Sequence, residues 1–222
     1  MPYNTLDPQK TAVLFFDMLN AYFRGSSEEN QRKMEPIVAN AVKVREAAAE
    51  LGIPCFYAKA DHRADGLDSV HIYSDTDYTL APWKDPDQGF TTAYRTVPGS
   101  DWRTEVIEEL HPEPGDYMVT KHRWNAFHQT SLELSLRNRG TDTIVLCGGS
   151  TRVGIASTAY GARDLDFNLV IVPDCCSDSL EGSQEFFMTR VFPMMARIRT
   201  LDETIAMMRQ GTALDPLASG RA

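Results

Sequence analysis

Residues 143–174 read TIVLCGGSTRVGIASTAYGARDLDFNLVIVPD, in which two apolar runs flank a segment of different periodicity. The runs TIVLCGG and NLVIVPD are short and continuous, which is typical of strands that are buried on both faces. The segment between them, RVGIASTAYGARDL, has the pattern of a helix. A strand, a helix and a second strand in this order form a parallel pair with a right-handed crossover. The stretch therefore predicts an α/β fold.

The same alternation extends along most of the chain. Further strands are predicted at 11–17 (TAVLFFD), 53–60, 116–121 and 197–200, and further helices at 29–51, 101–110, 130–140 and 181–196. A capping box of Thr130 with Glu133 is expected to begin the helix at 130–140. The pattern predicts a Rossmann-like three-layer sandwich with a mainly parallel six-stranded sheet. We expect a single domain over residues 1–210 and a disordered tail over 211–222.

Composition and charge disfavour several classes of function. The net charge of −9 disfavours a nucleic-acid partner, which would call for a basic face. No run approaches the ~18 apolar residues of a membrane span, and the N-terminus lacks the build of a signal peptide. The four cysteines lack zinc-site spacing and are expected to be buried and reduced. We expect a cytoplasmic protein that acts on a small molecule, without a membrane partner.

Ligands of such sheets bind beyond the carboxyl ends of the strands. Three strand ends carry polar or glycine residues there: Asp17, Lys121 and the turn Gly148–Gly154. Taken singly, Asp17 is explained as a helix cap and Lys121 as a surface lysine. Their placement at one rim favours an interacting pair, in which each group would perturb the pKa of the other. The polar segment 61–100 is long enough to be expected to line the site.

The glycine turn does not match a nucleotide loop. The spacing from Gly149 to Gly154 fits the first half of a P-loop, but Ile155 and Ala156 follow instead of lysine and a hydroxyl residue. The following helix start, near Arg152, offers backbone N–H groups that suit an oxyanion or a carboxylate. Arg152 itself is interpreted either as a carboxylate ligand or as a surface arginine. A tight turn without a ligand is the alternative for the whole stretch.

Four segments together resemble the isochorismatase-like hydrolases, a superfamily that includes cysteine amidohydrolases. They are TAVLFFDMLNAYF (11–23), VTKHRWNAFHQTSLELSLRNRGTDTIVLCGG (119–149), STRVGIASTAYGARDLDFNLVIVPDCCSD (150–178) and ARIRTLDE (196–203). The resemblance covers residues 10–208. It implies that Asp17 and Lys121 are catalytic, that Gly154 stands where the family has its nucleophilic cysteine, and that the Gly149–Ser150 peptide is cis.

A glycine at this position is also found in the true isochorismatases, which cleave a vinyl ether by acid catalysis. The resemblance therefore implies a hydrolase for a small, anionic substrate, working without a cysteine nucleophile, a cofactor or a metal. The family's metal-binding Asp-x-His pair is not matched by the adjacent Asp61 and His62 with the later His71. The chain departs from the glycine branch at Ser150 and Arg152, where that branch has an aromatic residue and a histidine. We expect substrate contacts from Phe23, Arg123, Trp124, Phe127, Gly149, Ser150 and Arg152.

Several alternatives stay open at this point. Lys121 would lower the pKa of Asp17, whereas burial beside Phe16 and its aromatic neighbours would raise it, so Asp17 is either an acid or a base. The chain is also compatible with an amidohydrolase that uses Ser150 or water, and with an inactive binding protein. By resemblance, a homodimer or homotetramer is expected.

Overall fold

The computed structural model describes residues 4–24, 27–62 and 102–212. The predicted site loop at 61–100, beyond its first two residues, and almost all of the predicted tail lie outside the described residues. The strands are β1 (Thr11–Phe16), β2 (Cys55–Ala60), β3 (Tyr117–Lys121), β4 (Thr143–Gly149), β5 (Asn168–Ser177) and β6 (Arg197–Ile198). They form one sheet in the order β3-β2-β1-β4-β5-β6, and every pairing is parallel. The predicted mainly parallel six-stranded sheet is confirmed.

Helices cover both faces of the sheet. They are α1 (Asn20–Phe23), α2 (Glu28–Glu50), α3 (Leu132–Asn138), α4 (Ala156–Asp164), α5 (Ser183–Phe186) and α6 (Leu201–Thr212). Because side chains alternate along a strand, β1 feeds two cores. Val13 and Phe15 pack with α2 and α6, whereas Leu14 and Phe16 pack with α3 and α4. The result is the predicted three-layer arrangement. None of the helices in the described ranges is long and apolar enough to cross a membrane.

One predicted helix is wrong, and another is present but irregular. In place of the helix predicted at 101–110, the described residues 102–110 form two 3₁₀ turns, Trp102–Thr104 and Glu108–Leu110. The backbone between these turns pairs with the chain after β1 through an antiparallel bridge of Leu19 with Val106. The segment 181–196 is divided into α5, a π-turn (Phe187–Val191) and a 3₁₀ turn (Phe192–Met194). Pro193 lies in the last turn and offers no N–H for a continuing helix.

The predicted capping box at Thr130 does not form. The Thr130 hydroxyl donates to the carbonyl of Ala126 at 2.6 Å and accepts from the N–H of Leu132 at 3.2 Å. The helix therefore begins at Leu132, and the hydroxyl fixes the preceding loop instead of the third residue of the helix. The final turn behaves as predicted, since Gly140 follows α3 with φ +70°.

The strand order reverses between β1 and β4, which lie side by side at the centre of the sheet. Connections leave these two strands in opposite directions, so a crevice opens beyond their carboxyl ends. Asp17 follows β1 directly, and Gly149 ends β4. The fold therefore places the polar strand end and the glycine turn beside each other.

Candidate active site

Asp17 is held at the end of β1 by an unusual backbone conformation. Its φ is +51°, a value that non-glycine residues seldom adopt and that is found where function constrains the chain. Its N–H donates to the carbonyl of Ala58 at 2.8 Å, and its own carbonyl accepts from the N–H of Leu19 at 2.8 Å. The carboxylate accepts from the N–H of Ala60 at 3.0 Å through Oδ1. The backbone of β2 therefore fixes both the main chain and the carboxyl group.

Lys121 reaches Asp17 from the edge strand. Its Nζ lies 2.8 Å from Asp17 Oδ2, and the two residues are 4% and 7% exposed. β2 separates the two strands, so the long lysine side chain spans the width of one strand to make this contact. The same ammonium lies 4.3 Å from the centre of the Phe16 ring. The structure thus brings the predicted Asp17 and Lys121 into direct contact.

Burial is the largest influence on the pKa of Asp17. The pKa of its carboxyl is raised because the loss of water around the charged form outweighs the opposing effects. Those opposing effects are the Lys121 charge and hydrogen bond, the hydrogen bond from Ala60, and a weaker contribution from His62. A raised pKa keeps more of the carboxyl protonated near neutral pH, and a protonated carboxyl can act as a general acid. The direction of this shift favours the acid role for Asp17, which the sequence analysis left open beside the base role.

The glycine turn after β4 contains a cis peptide bond and a glycine with positive φ. The predicted cis peptide between Gly149 and Ser150 is confirmed. Gly148 has φ +125°, and a Cβ there would lie 2.9 Å from the carbonyl carbon of Phe16 and closer still to its oxygen. The turn continues into a π-helical segment, Thr151–Ile155, which leads into α4. Gly148 is therefore needed for its conformation and for the close approach of β1.

A buried carboxylate that the sequence analysis missed organises this turn. The Asp178 side chain is fully buried, and its Oδ2 accepts from Ser150 Oγ at 2.9 Å and from the Arg152 N–H at 2.8 Å. Its Oδ1 accepts from the N–H of Leu180 at 3.0 Å and forms an ion pair with the Arg152 guanidinium. Asp178 thus accepts a hydrogen bond from a backbone N–H that the sequence analysis expected to bind a ligand. It ends one of the quoted segments, but no local pattern distinguishes it from other acidic residues after strands.

The remaining predicted contact residues are spread over the molecule. Phe23 is 2% exposed and lies in the apolar core against α2. Phe127 stacks on Phe167, with ring centres 5.7 Å apart, next to the amino end of β5. That end of the sheet is opposite to Asp17, and the expected substrate contact from Phe127 stays a prediction. Arg123 and Trp124 are exposed in the loop after β3, and their predicted role stays a prediction.

Gly154 is buried beside Phe16, and none of the cysteines in the described residues lies at this position. All four cysteines are buried in the apolar cores. Burial raises the pKa of the Cys55 thiol to about 12, and the pKa values of Cys147 and Cys176 are raised as well. For Cys147, a hydrogen bond with Cys175 is the largest cause, ahead of burial. Thiols that are enclosed in an apolar core cannot reach a substrate, so these four cysteines are poorly placed to act as nucleophiles.

His62 lies near the Asp17–Lys121 ion pair and close to a second histidine. His62 is 9% exposed, and its ring centre lies 5.5 Å from that of His122, the residue after Lys121. Within residues 4–24, 27–62 and 102–212, no three histidine, cysteine or acidic side chains are grouped to hold a metal ion. His71, which the sequence analysis considered with His62, lies outside the described residues.

Comparisons with known proteins agree on one family. The family described as "Isochorismatase domain" matches residues 11–203. The isochorismatase family protein YwoC of Bacillus subtilis is 34% identical over 209 residues, which are 93% of this chain and 99% of that protein. The phenazine biosynthesis protein PhzD of Pseudomonas fluorescens is 25% identical over 90% of this chain and 87% of its own length.

A solved structure gives the same result for the fold. The isochorismatase family protein of Burkholderia thailandensis superposes with a TM-score of 0.74 at 26% identity, covering 92% of this chain and 98% of that one. The ureidoacrylate amidohydrolase RutB of Rhizobium rhizogenes is 24% identical over 91% of this chain and 86% of its own length. The similar proteins thus include one named for phenazine biosynthesis and one named as an amidohydrolase.

Proposed function

Because the chain belongs to the isochorismatase family of hydrolases, we propose that it cleaves a vinyl ether of a small, anionic substrate by acid–base catalysis. Asp17 and Lys121 carry the chemistry, and no cysteine nucleophile takes part. The observation that carries the proposal is the intact, buried Asp17–Lys121 pair beside a bare Gly154. A site with a proton donor but without a thiolate is suited to a reaction that begins with protonation.

The raised pKa of Asp17 supports this role. An efficient general acid must hold its proton near the working pH and must release it in the transition state. Burial favours the first requirement, because it raises the pKa. The Lys121 ammonium at 2.8 Å favours the second, because it stabilises the carboxylate that remains after proton transfer.

The reaction can be written so that every atom is accounted for. The Asp17 carboxyl donates its proton to the terminal methylene carbon of the enol ether, and the adjacent carbon becomes an oxocarbenium ion. A water oxygen bonds to that carbon, and the Asp17 carboxylate accepts a proton from the water. In the resulting hemiketal the C–O bond to the alcohol breaks, the hydroxyl becomes a carbonyl, and the hydroxyl proton is transferred to the departing alcohol oxygen. One water is consumed, and a methyl ketone and an alcohol are formed.

Deuterium incorporation tests the proposal directly. Isochorismate, small amides and ureido acids are incubated with the protein in D₂O, and the loss of each substrate is followed. If Asp17 protonates carbon, the new methyl group of the ketone carries one deuterium, which NMR detects. Amide or ureido hydrolysis leaves the carbon skeleton unlabelled. Turnover should fall as the pH rises through the raised pKa of Asp17, because the acid form is the active one.

Asp17→Asn is the matched variant for this experiment, since it keeps the shape of the side chain and cannot donate an acidic proton. We expect loss of at least about 10²-fold in turnover, the usual contribution of a positioned general acid. An unlabelled ketone, or full activity of Asp17→Asn, would rule out carbon protonation by this residue. An amidohydrolase that uses Ser150 as its nucleophile is less well supported. The Ser150 hydroxyl donates a hydrogen bond to Asp178, whose carboxylate also accepts from the backbone N–H groups of Arg152 and Leu180.

A further inference from the structure

The Phe16 ring lies where a side chain at position 154 would have to go. Phe16 is 1% exposed and is the last residue of β1, directly before Asp17. A Cβ on Gly154 would lie 2.9 Å from Phe16 Cδ1 and closer still to Cε1 and Cζ. Carbon atoms in contact prefer about 3.5–4.0 Å, so the ring and a side chain cannot share this space.

Gly154 is needed for room and not for its backbone conformation. Its φ lies outside the left-handed region, in contrast to Gly148 at +125°. Any L-residue could therefore adopt the backbone at 154 without strain. The obstacle is the ring of Phe16, which is itself fixed in the core between β1 and α4.

The same ring also supports the ammonium of Lys121. Its centre lies 4.3 Å from Lys121 Nζ, within the range in which a cation is attracted to an aromatic face. The ammonium thus contacts both the Phe16 ring and the Asp17 carboxylate, which belong to consecutive residues. One aromatic side chain therefore borders both the empty nucleophile position and the catalytic cation.

We propose that Phe16 is a positioning residue that commits the site to acid–base chemistry. Its ring fills the space that a nucleophilic side chain at 154 would need, and it holds the Lys121 ammonium against Asp17. Restoring a thiolate at this site therefore requires a change at Phe16 as well as at Gly154. The inference rests on the proposed function for its meaning, but its test measures packing and thiol chemistry without any substrate.

The first test compares thermal midpoints in a double-mutant cycle. Gly154→Cys should lower the midpoint, because the new side chain collides with the ring. Phe16→Leu alone should also lower it, whereas Phe16→Leu in the Gly154→Cys background should raise it. An equal decrease caused by Phe16→Leu in both backgrounds would overturn the proposal. If the Phe16→Leu double variant does not fold, the cycle is repeated with Gly154→Ala, whose side chain is smaller.

The second test labels the new thiol with iodoacetamide in the folded protein. The thiolate sulfur bonds to the methylene carbon, and iodide leaves. Wild-type protein is the control, since its own cysteines are at most 3% exposed and should stay unlabelled. Near pH 7, we expect labelling of Phe16→Leu/Gly154→Cys to be at least about tenfold faster than that of Gly154→Cys. Adding Lys121→Met should slow the labelling, because the ammonium no longer stabilises the thiolate.

The third test follows the titration of the Asp17 carboxyl by ¹³C NMR in wild type and in Phe16→Leu. A ring with no positioning role would leave the titration midpoint in place, whereas loss of the support for Lys121 should raise it. Equal labelling of the single and double variants, or an unchanged midpoint, would overturn the proposal. Failure of the vinyl-ether assay would affect the proposed function alone, since none of these three measurements involves turnover.

Discussion

Replacing Lys121 by methionine should make the stability of the protein depend strongly on pH. Methionine matches the apolar stem of lysine but lacks the terminal ammonium, so the change removes mainly the charge and the 2.8 Å hydrogen bond to Asp17. The Asp17 carboxyl then remains buried at 7% exposure without a cation. His62 is the other titratable group that acts on it, and its contribution is the smallest of those that lower the pKa.

The size of the effect follows from the geometry. An opposite charge at this distance lowers a carboxyl pKa by about 1–3, so its removal should raise the pKa of Asp17 further by a similar amount. Each unit corresponds to about 1.4 kcal/mol between the two protonation states. The variant should therefore lose about 1–4 kcal/mol of stability at a pH where Asp17 is ionised, consistent with the few kcal/mol found when buried pairs lose one partner.

The raised pKa of Asp17 determines how the loss of stability in Lys121→Met changes with pH. A carboxyl whose pKa is higher in the folded state is most favourable below its unfolded value, and its stability is lost as pH rises through the folded value. The difference between wild type and Lys121→Met should thus be small at a pH below the raised pKa of wild-type Asp17 and large at a pH above that pKa. Thermal midpoints report it, at about 2–4 °C per kcal/mol for a domain of this size.

Two controls isolate the buried pair. Lys33→Met removes an ion pair of the same 2.8 Å length whose lysine is 67% exposed, and it should leave the midpoint nearly unchanged at both pH values. Asp17→Asn combined with Lys121→Met leaves a neutral pair and should abolish the added pH dependence. If Lys121→Met lowered the midpoint equally at both pH values, the reasoning from burial and charge would be refuted.

Three further substitutions test the frame of the site, each measured by urea unfolding. Gly140→Ala should lower the free energy of unfolding by about 1–2 kcal/mol, because alanine is strained at a positive φ. Gly148→Ala should lower it by more, because its Cβ would also collide with the Phe16 carbonyl. Asp178→Asn should cost about 2 kcal/mol, since it weakens charge-assisted bonds at the turn. Thr158→Val should cost about 1–3 kcal/mol by leaving the buried N–H of Ala126 without its 3.0 Å acceptor. Equal costs for the two glycines, or no cost at Asp178 or Thr158, would contradict these assignments.

The strand pattern was readable from the sequence because it is set by neighbours along the chain. Buried strands carry continuous apolar runs, and β1, β2, β3 and β4 lie within one or two residues of their predicted positions. The helix predicted at 101–110 failed because a distant segment supplied competing backbone partners. The predicted homo-oligomer and the single-domain boundary remain predictions.

By itself, the sequence determined the parallel α/β sheet and placed Asp17, Lys121 and the glycine turn at strand ends, since local periodicity fixes where strands stop. The tertiary structure decided the rest. It showed that a lysine two strands away meets the aspartate, that burial outweighs this cation in setting the pKa, and that an aromatic ring borders Gly154. These outcomes depend on water exclusion and on contacts between distant residues, and no local pattern of residue types encodes either.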